Sequence, residues 1–129
     1  MQSNETTEIM RRFNQAFLEH QPEILRDLVA PDCVMESIQP APNGTRYEGY
    51  DVCVAFWEAL AADRATWFEV EDTFVIGDRA NICWRLNFGE GQSVRGVNLV
   101  RVRDGRIVEA LACSKIPAEA APLPETPAA

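Results

Sequence analysis

Alternation dominates the last third of the chain. From Gln92 to Lys115 the sequence reads QSVRGVNLVRVRDGRIVEALACSK. Val94, Val97, Leu99, Val100 and Val102 lead into Asp104-Gly105, and Ile107, Val108, Ala110, Leu111 and Ala112 lead out of it. Two such runs around Asp-Gly predict a β-hairpin with a type I′ turn. That turn needs positive φ at both central residues, which Gly adopts freely and Asp tolerates. Upstream, Asn81 to Phe88 (NICWRLNF) alternates strictly. Ile82, Trp84, Leu86 and Phe88 share one face, and Cys83, Arg85 and Asn87 the other. Trp67 to Ile76 is also rich in strand formers, with turn residues at Gly77-Asp78 and Gly89-Glu90-Gly91. The whole region therefore reads as an antiparallel meander.

The first half of the chain has a helical period instead. Between Glu5 and Glu19, Ile9, Phe13, Ala16 and Phe17 form one stripe with Met10 beside it. Ser3 or Asn4 suits the cap, and Glu5 and Glu8 suit the positive end of the helix dipole. Pro22 opens a second, short helix, PEILRDLV, which points Leu25, Leu28 and Val29 inward and which Pro31 ends. Cys33 to Gln39 predicts a strand, and Pro40 to Thr45 a loop. A third helix runs from Asp51, its expected N-cap, to about Ala62. Its expected inward face is Val52, Ala55, Phe56, Ala59 and Leu60, widened by Cys53 and Trp57. Three helices on one side of a curved, mostly antiparallel sheet make an α+β fold, a cone-shaped roll with a pocket at its open end.

Composition narrows the setting. The 129 residues fit one domain, with residues 1–116 forming the fold and the Pro/Ala-rich 117–129 reading as a disordered tail. No apolar run approaches the roughly 20 residues of a membrane helix, and the N-terminus lacks a secretory pattern, so a cytoplasmic protein is expected. A net charge of −8, with the arginines scattered, disfavours nucleic acid and anionic membranes as partners. Cys33, Cys53, Cys83 and Cys113 are too dispersed for a zinc site, and His20 is the sole histidine. No metal and no cofactor are expected, and the cysteines read as core thiols.

Four stretches carry a resemblance: RRFNQAF in the first helix, LVAPDCV after the second, GYDVCVAFWEAL in the third, and the closing VRGVNLVRVRDGRIVEALACSK. Together they resemble SnoaL-like domains, of the superfamily of nuclear transport factor two, ketosteroid isomerases and polyketide cyclases. The resemblance spans about residues 5–116 and implies a cystatin-like roll, commonly a homodimer, holding a small apolar or polycyclic ligand in its pocket. By element alignment the helices would contribute Phe13, Phe17, Phe56 and Leu60 to the lining. Met35, Ser37, Trp84, Leu86, Asn98, Val100, Ala112 and Ser114 would come from the strands, with Tyr47 and Tyr50 at the mouth. It also implies an isomerase or cyclase acting on a hydrophobic carbonyl compound.

The family's acid/base positions fall on Ser37 and Asn98, and the isomerase oxyanion tyrosine falls on Phe13. An Asn amide can donate a hydrogen bond at every pH but cannot exchange a proton. Asn98 therefore reads chiefly as a polar contact. Asn98, Glu36 and Ser37 are the candidate catalytic residues, although alternation turns Glu36 outward. Glu109 is expected to pair with Arg85 or Arg101, and Asp32 to cap the loop after the second helix. The alternative to a ligand pocket is a non-catalytic dimeric module working through the convex face, where parity puts Cys83, Arg85, Leu99, Arg101, Leu111 and Cys113.

Overall fold

The computed structural model describes residues 2–114, so the tail expected at 117–129 lies outside the described residues. Helix α1 spans Gln2–Leu18 and a 3-10 helix spans Pro22–Asp27. Strands β1 (Val29–Ser37) and β2 (Thr45–Glu48) follow, then helix α2 (Tyr50–Ala62). Strands β3 (Trp67–Ile76), β4 (Arg79–Phe88), β5 (Gln92–Arg103) and β6 (Arg106–Ser114) complete the fold. The six strands form one sheet in the order β2-β1-β6-β5-β4-β3. Every neighbouring pair is antiparallel except β1 with β6. This is the α+β roll that the periodicities predict.

The closing hairpin forms as expected, with φ of 52° at Asp104 and 77° at Gly105. Its register slips between Arg101 and Val102, leaving Val108 as an extra residue between the pairs Arg101↔Glu109 and Val102↔Ile107. That bulge lets Ile107 and Val108 both be buried although they are adjacent. The β1–β6 pairing also skips, between Val29 and Val34. Pro31 sits in that gap, where its missing N–H is harmless.

The structure corrects four local expectations. The second helix is a six-residue 3-10 helix that stops at Asp27, and Val29 already belongs to β1. Leu28 N–H donates to the Leu25 carbonyl at 3.0 Å, the tight spacing of that geometry. Strand β2 was not foreseen; four residues of mixed polarity give no periodic signal. Its Arg46 and Glu48 charge this edge of the sheet, which discourages strand addition. Asp51 is not the cap of α2. Gly49, at φ 96°, precedes the helix, and Asp51 lies in its first turn, where its charge still suits the dipole.

The fourth correction concerns which face of α2 is inside. Cys53, Val54, Trp57 and Ala61 are buried, whereas Val52 is 51% exposed and Ala55 and Ala59 face solvent. Because α2 is apolar nearly all round, the period alone could not choose a side. Among the cysteines, Cys33 and Cys53 are core thiols, while Cys83 and Cys113 are only half-buried. The core joins α1 (Ile9, Met10, Phe13, Ala16, Phe17), Leu25, Leu28 and α2 to Val29, Ile82, Val100, Val102 and Ile107 of the sheet. Each such side chain contributes roughly 1.5–3 kcal/mol by leaving water. Fully buried Thr6 fastens α1 to the β3–β4 turn by donating to the Gly77 carbonyl at 2.8 Å.

Candidate functional site

Strand pairing arranges the concave face in rows. Ser37, Ala112, Asn98, Ile82 and Thr73 are successive partners across β1, β6, β5, β4 and β3. The next row is Ser114, Gly96, Trp84 and Val70. Across the middle of the sheet the floor thus carries small residues: Ala110, Ala112 and Ser114 from β6 and Gly96 from β5. The helices arch over it with large rings. The result is a half-open cavity of about 190 Å³ bounded by the α1 and α2 side chains Phe13, Asn14, Phe17, Phe56, Trp57 and Leu60.

Five aromatic rings join into an arc around this space. Trp57 meets Phe13 edge-on at 5.2 Å, Phe13 meets Phe17 at 5.0 Å, and Phe17 meets Phe68 at 5.4 Å. Phe68 then meets Trp84 at 5.6 Å, nearly perpendicular. Edge-to-face contacts of this kind fix the rings beyond their area burial.

Trp84 lies flat on the sheet because its partner across the ladder is Gly96. A Cβ at that position would overlap Trp84 Cζ2, and would sit 2.5 Å from Cη2 and 2.6 Å from the Cys113 carbonyl oxygen. So seated, the indole reaches diagonally and its Nε1–H donates to Asn98 Oδ1 at 3.1 Å. Indole nitrogen is only a donor, so the Asn98 atom facing it must be the oxygen. No acceptor among the described residues takes a hydrogen bond from Asn98 Nδ2, which leaves that donor for the cavity. Ser37 Oγ accepts the Gln39 N–H at 3.2 Å and keeps its own proton to donate. Asn14 is tied to Thr73 at 3.4 Å.

Of the residues read from the sequence as lining, Phe13, Phe17, Met35, Ser37, Phe56, Leu60, Trp84, Leu86, Asn98, Ala112 and Ser114 meet at the cavity. Val100 does not; it is buried in the core, in the row of Met35, Ala110 and Ala80. Tyr47 lies outside the lining, stacked on Phe56 at 4.8 Å, because β2 holds it at the sheet edge. Tyr50 is occupied structurally, donating to the Arg26 carbonyl at 2.8 Å.

Glu36 is on the opposite face of β1, half-exposed and paired with Arg46 at 3.1 Å, so it cannot meet a ligand in the cavity. Glu109 pairs with Arg101 at 3.5 Å on the same convex side, while Arg85 pairs with Glu71. Asp32 caps nothing; it binds Arg103 at 2.9 Å. His20, at φ 52°, donates from Nδ1 to the Ala61 carbonyl at 2.9 Å and pins the ends of the two helices together.

Sequence reasoning missed Asn14, Trp57, Phe68, Val70, Ile82 and Ala110 in the lining. Parity would have given Ile82 and Ala110. Phe68 and Val70 were hidden by the bulge between Val70 and Asp72, which breaks the alternation of β3.

Among the described residues, the lining contains no Asp, Glu, His, Lys, Arg, Cys or Tyr. No group of three or more His, Cys, Asp or Glu among the described residues is placed to hold a metal ion. No helix of the described residues is long and apolar enough to cross a membrane. The site therefore offers shape, aromatic surface and a few neutral hydrogen-bonding groups.

A helix-backed, curved sheet closing on an apolar pocket defines the nuclear transport factor two-like class of fold. Within that class the chain belongs to the SnoaL-like domain family, whose model matches residues 10–110. It is 52% identical to an NTF2-like protein of unknown function from Mesorhizobium loti, over 90% of this chain and 95% of that one, with a TM-score of 0.86. A candidate ketosteroid isomerase from Kribbella flavida is 18% identical, with 99% and 94% of the two chains covered and a TM-score of 0.76. A cystatin-like protein of unknown function from Methylobium petroleophilum is 15% identical, with 100% and 84% covered and a TM-score of 0.75. These last two share the fold. The search of curated proteins returned no match.

Proposed function

We propose that the protein binds a small, neutral, largely apolar carbonyl compound in the concave cavity, with Asn98 as its principal polar contact. The observation that carries this is the lining itself: aromatic walls, a floor of small residues and no ionisable side chain among the described ones. A charged ligand would lose its hydration there without gaining a partner. An apolar cavity of about 150 Å³ accommodates benzene, so about 190 Å³ has room for a single substituted ring, and the open mouth lets a larger ligand extend outward.

Polarising a carbonyl through an amide donor is half of what an isomerase or cyclase requires. The other half is a group that moves a proton, and neither Ser37 nor Asn98 is suited to that. The lining thus supports binding over side-chain proton transfer. Calorimetric titration with acetophenone tests the proposal. Saturable binding is expected, weakened about 5–10-fold in Asn98→Leu for the loss of one hydrogen bond. Absence of saturation at millimolar ligand contradicts it.

The convex face supports a second reading, in which a second copy of the chain docks there. Phe74, Ile76 and Leu99 are 56%, 65% and 41% exposed, with Phe74 and Leu99 flanking Asn81 in one register row. Arg79, Arg101, Glu36 and Glu109 edge the same shallow concavity, which gives a two-fold pairing opposite charges to match. Light scattering should give a dimer that Leu99→Glu dissociates. A monomer at high micromolar concentration removes this reading.

A further inference from the structure

We infer that Gly96 and Trp84 act as a polarity lock on Asn98, making the cavity selective for ligands that accept a hydrogen bond over ligands of equal size that donate one. The inference rests on the ligand-binding proposal and names what that site discriminates. A free asparagine side chain can rotate by half a turn and present either its oxygen or its NH2 group. Asn98 loses that freedom because its oxygen receives the Trp84 Nε1–H at 3.1 Å. Rotation would bring the amide NH2 against the indole N–H, donor against donor, inside a partly buried site.

The lock works only while the indole stays where it is. Three features hold it. Gly96 leaves the space beneath it, since any Cβ there would overlap the ring. Phe68 closes its edge at 5.6 Å. The β4–β5 register, Trp84 opposite Gly96 and Ile82 opposite Asn98, sets the diagonal reach from Trp84 to Asn98. The Asn98 group that remains for a ligand is Nδ2, a donor. Ser37, beyond Ala112 in the same row, carries a hydroxyl that can both donate and accept, so it does not discriminate and the selectivity rests on Asn98. A carbonyl-bearing aromatic satisfies the Asn98 donor, whereas an aromatic whose only polar group is an N–H leaves that donor unpaired.

The test compares acetophenone, which only accepts, with indole, which only donates and has the same number of heavy atoms. The full-length protein is titrated with each by calorimetry. The wild-type protein should bind acetophenone at least about tenfold more tightly. In Trp84→Phe the indole donor is gone and the amide is free to rotate, so the preference should fall several-fold. Taking the ratio of the two affinities cancels the packing lost with the smaller ring. Asn98→Leu should bring the ratio close to one.

The free protein supplies an independent readout by NMR. The Trp84 indole N–H should exchange slowly with solvent, and Asn98→Leu should speed that exchange. A ratio that survives Trp84→Phe, a wild-type preference for indole, or fast exchange of the Trp84 N–H overturns the lock while leaving ligand binding intact. Failure of both probes to bind the wild-type protein overturns the ligand-binding proposal and the selectivity with it.

Discussion

Gly96→Ala adds one methyl group at the point where the sheet and the cavity wall are in closest contact. The new Cβ would overlap the Trp84 ring and lie 2.6 Å from the Cys113 carbonyl oxygen. The ring can tilt away, but the carbonyl belongs to the backbone of β6, so the β5–β6 ladder must also give by a few tenths of an ångström. Overpacking of this kind costs about 1–3 kcal/mol. A tilted Trp84 also loses its hydrogen bond to Asn98, about 0.5–1.5 kcal/mol more. Alanine restricts the unfolded chain and returns about 0.4–1 kcal/mol. The net expectation is a loss of about 2 kcal/mol, or roughly 8 °C in Tm for a domain of this size.

Urea unfolding followed by circular dichroism measures that loss. Repeating the substitution in a Trp84→Phe background should reduce the penalty by about 1 kcal/mol, because the atoms that clash are then absent. Part of the penalty remains, from the Cys113 carbonyl. If Gly96→Ala unfolds within about 0.5 kcal/mol of the wild-type protein, the indole is not seated on that glycine and the account of the cavity wall is wrong.

Three further outcomes are expected. Phe13→Ala, which empties a buried site between Phe17 and Trp57, should lower the unfolding free energy by about 3–5 kcal/mol; a loss below about 1 kcal/mol would contradict the packing. Glu36→Gln removes an exposed partner of Arg46, and should shift stability by less than about 0.5 kcal/mol and leave acetophenone affinity unchanged. A tenfold affinity loss would return Glu36 to the site. Burial, aided by the neighbouring Cys53, raises the Cys33 thiol pKa well above its ordinary value of 9.0, and burial also raises that of Cys53. An unfolded thiol ionises near that pH while the folded Cys33 thiol resists ionisation, so this contribution to stability is full below about pH 9 and falls as pH rises. For Cys33 the slope should approach about 1.4 kcal/mol per pH unit. Urea midpoints at pH 8 and pH 10 should therefore separate less in Cys33→Ala, and an equal separation would contradict the assignment.

The elements were legible where one period ruled. Strict alternation in β4 and the Asp104-Gly105 turn after β5 gave the register that brings Trp84, Leu86 and Asn98 to one face. The stripe of α1 gave Phe13 and Phe17. Where two signals competed, the sequence was silent. Helix α2 is apolar on most sides, so its buried face depends on what it meets. The Glu71 bulge inverts β3 midway, and β2 exists only because β1 offers it an edge. The Trp84–Asn98 hydrogen bond was beyond sequence reasoning, since it depends on a diagonal contact and on the room left by Gly96. That contact also changes how Asn98 is read: a polar residue of uncertain aim becomes a donor with a fixed direction.

A crystal structure of the protein with acetophenone tests the central claim most directly. The ring should lie within the arc from Trp57 to Trp84, with its carbonyl oxygen about 2.7–3.2 Å from Asn98 Nδ2 and the Trp84 hydrogen bond intact. A ligand found on the convex face beside Leu99, or a cavity closed by its own Phe56 and Trp84 side chains, would contradict it.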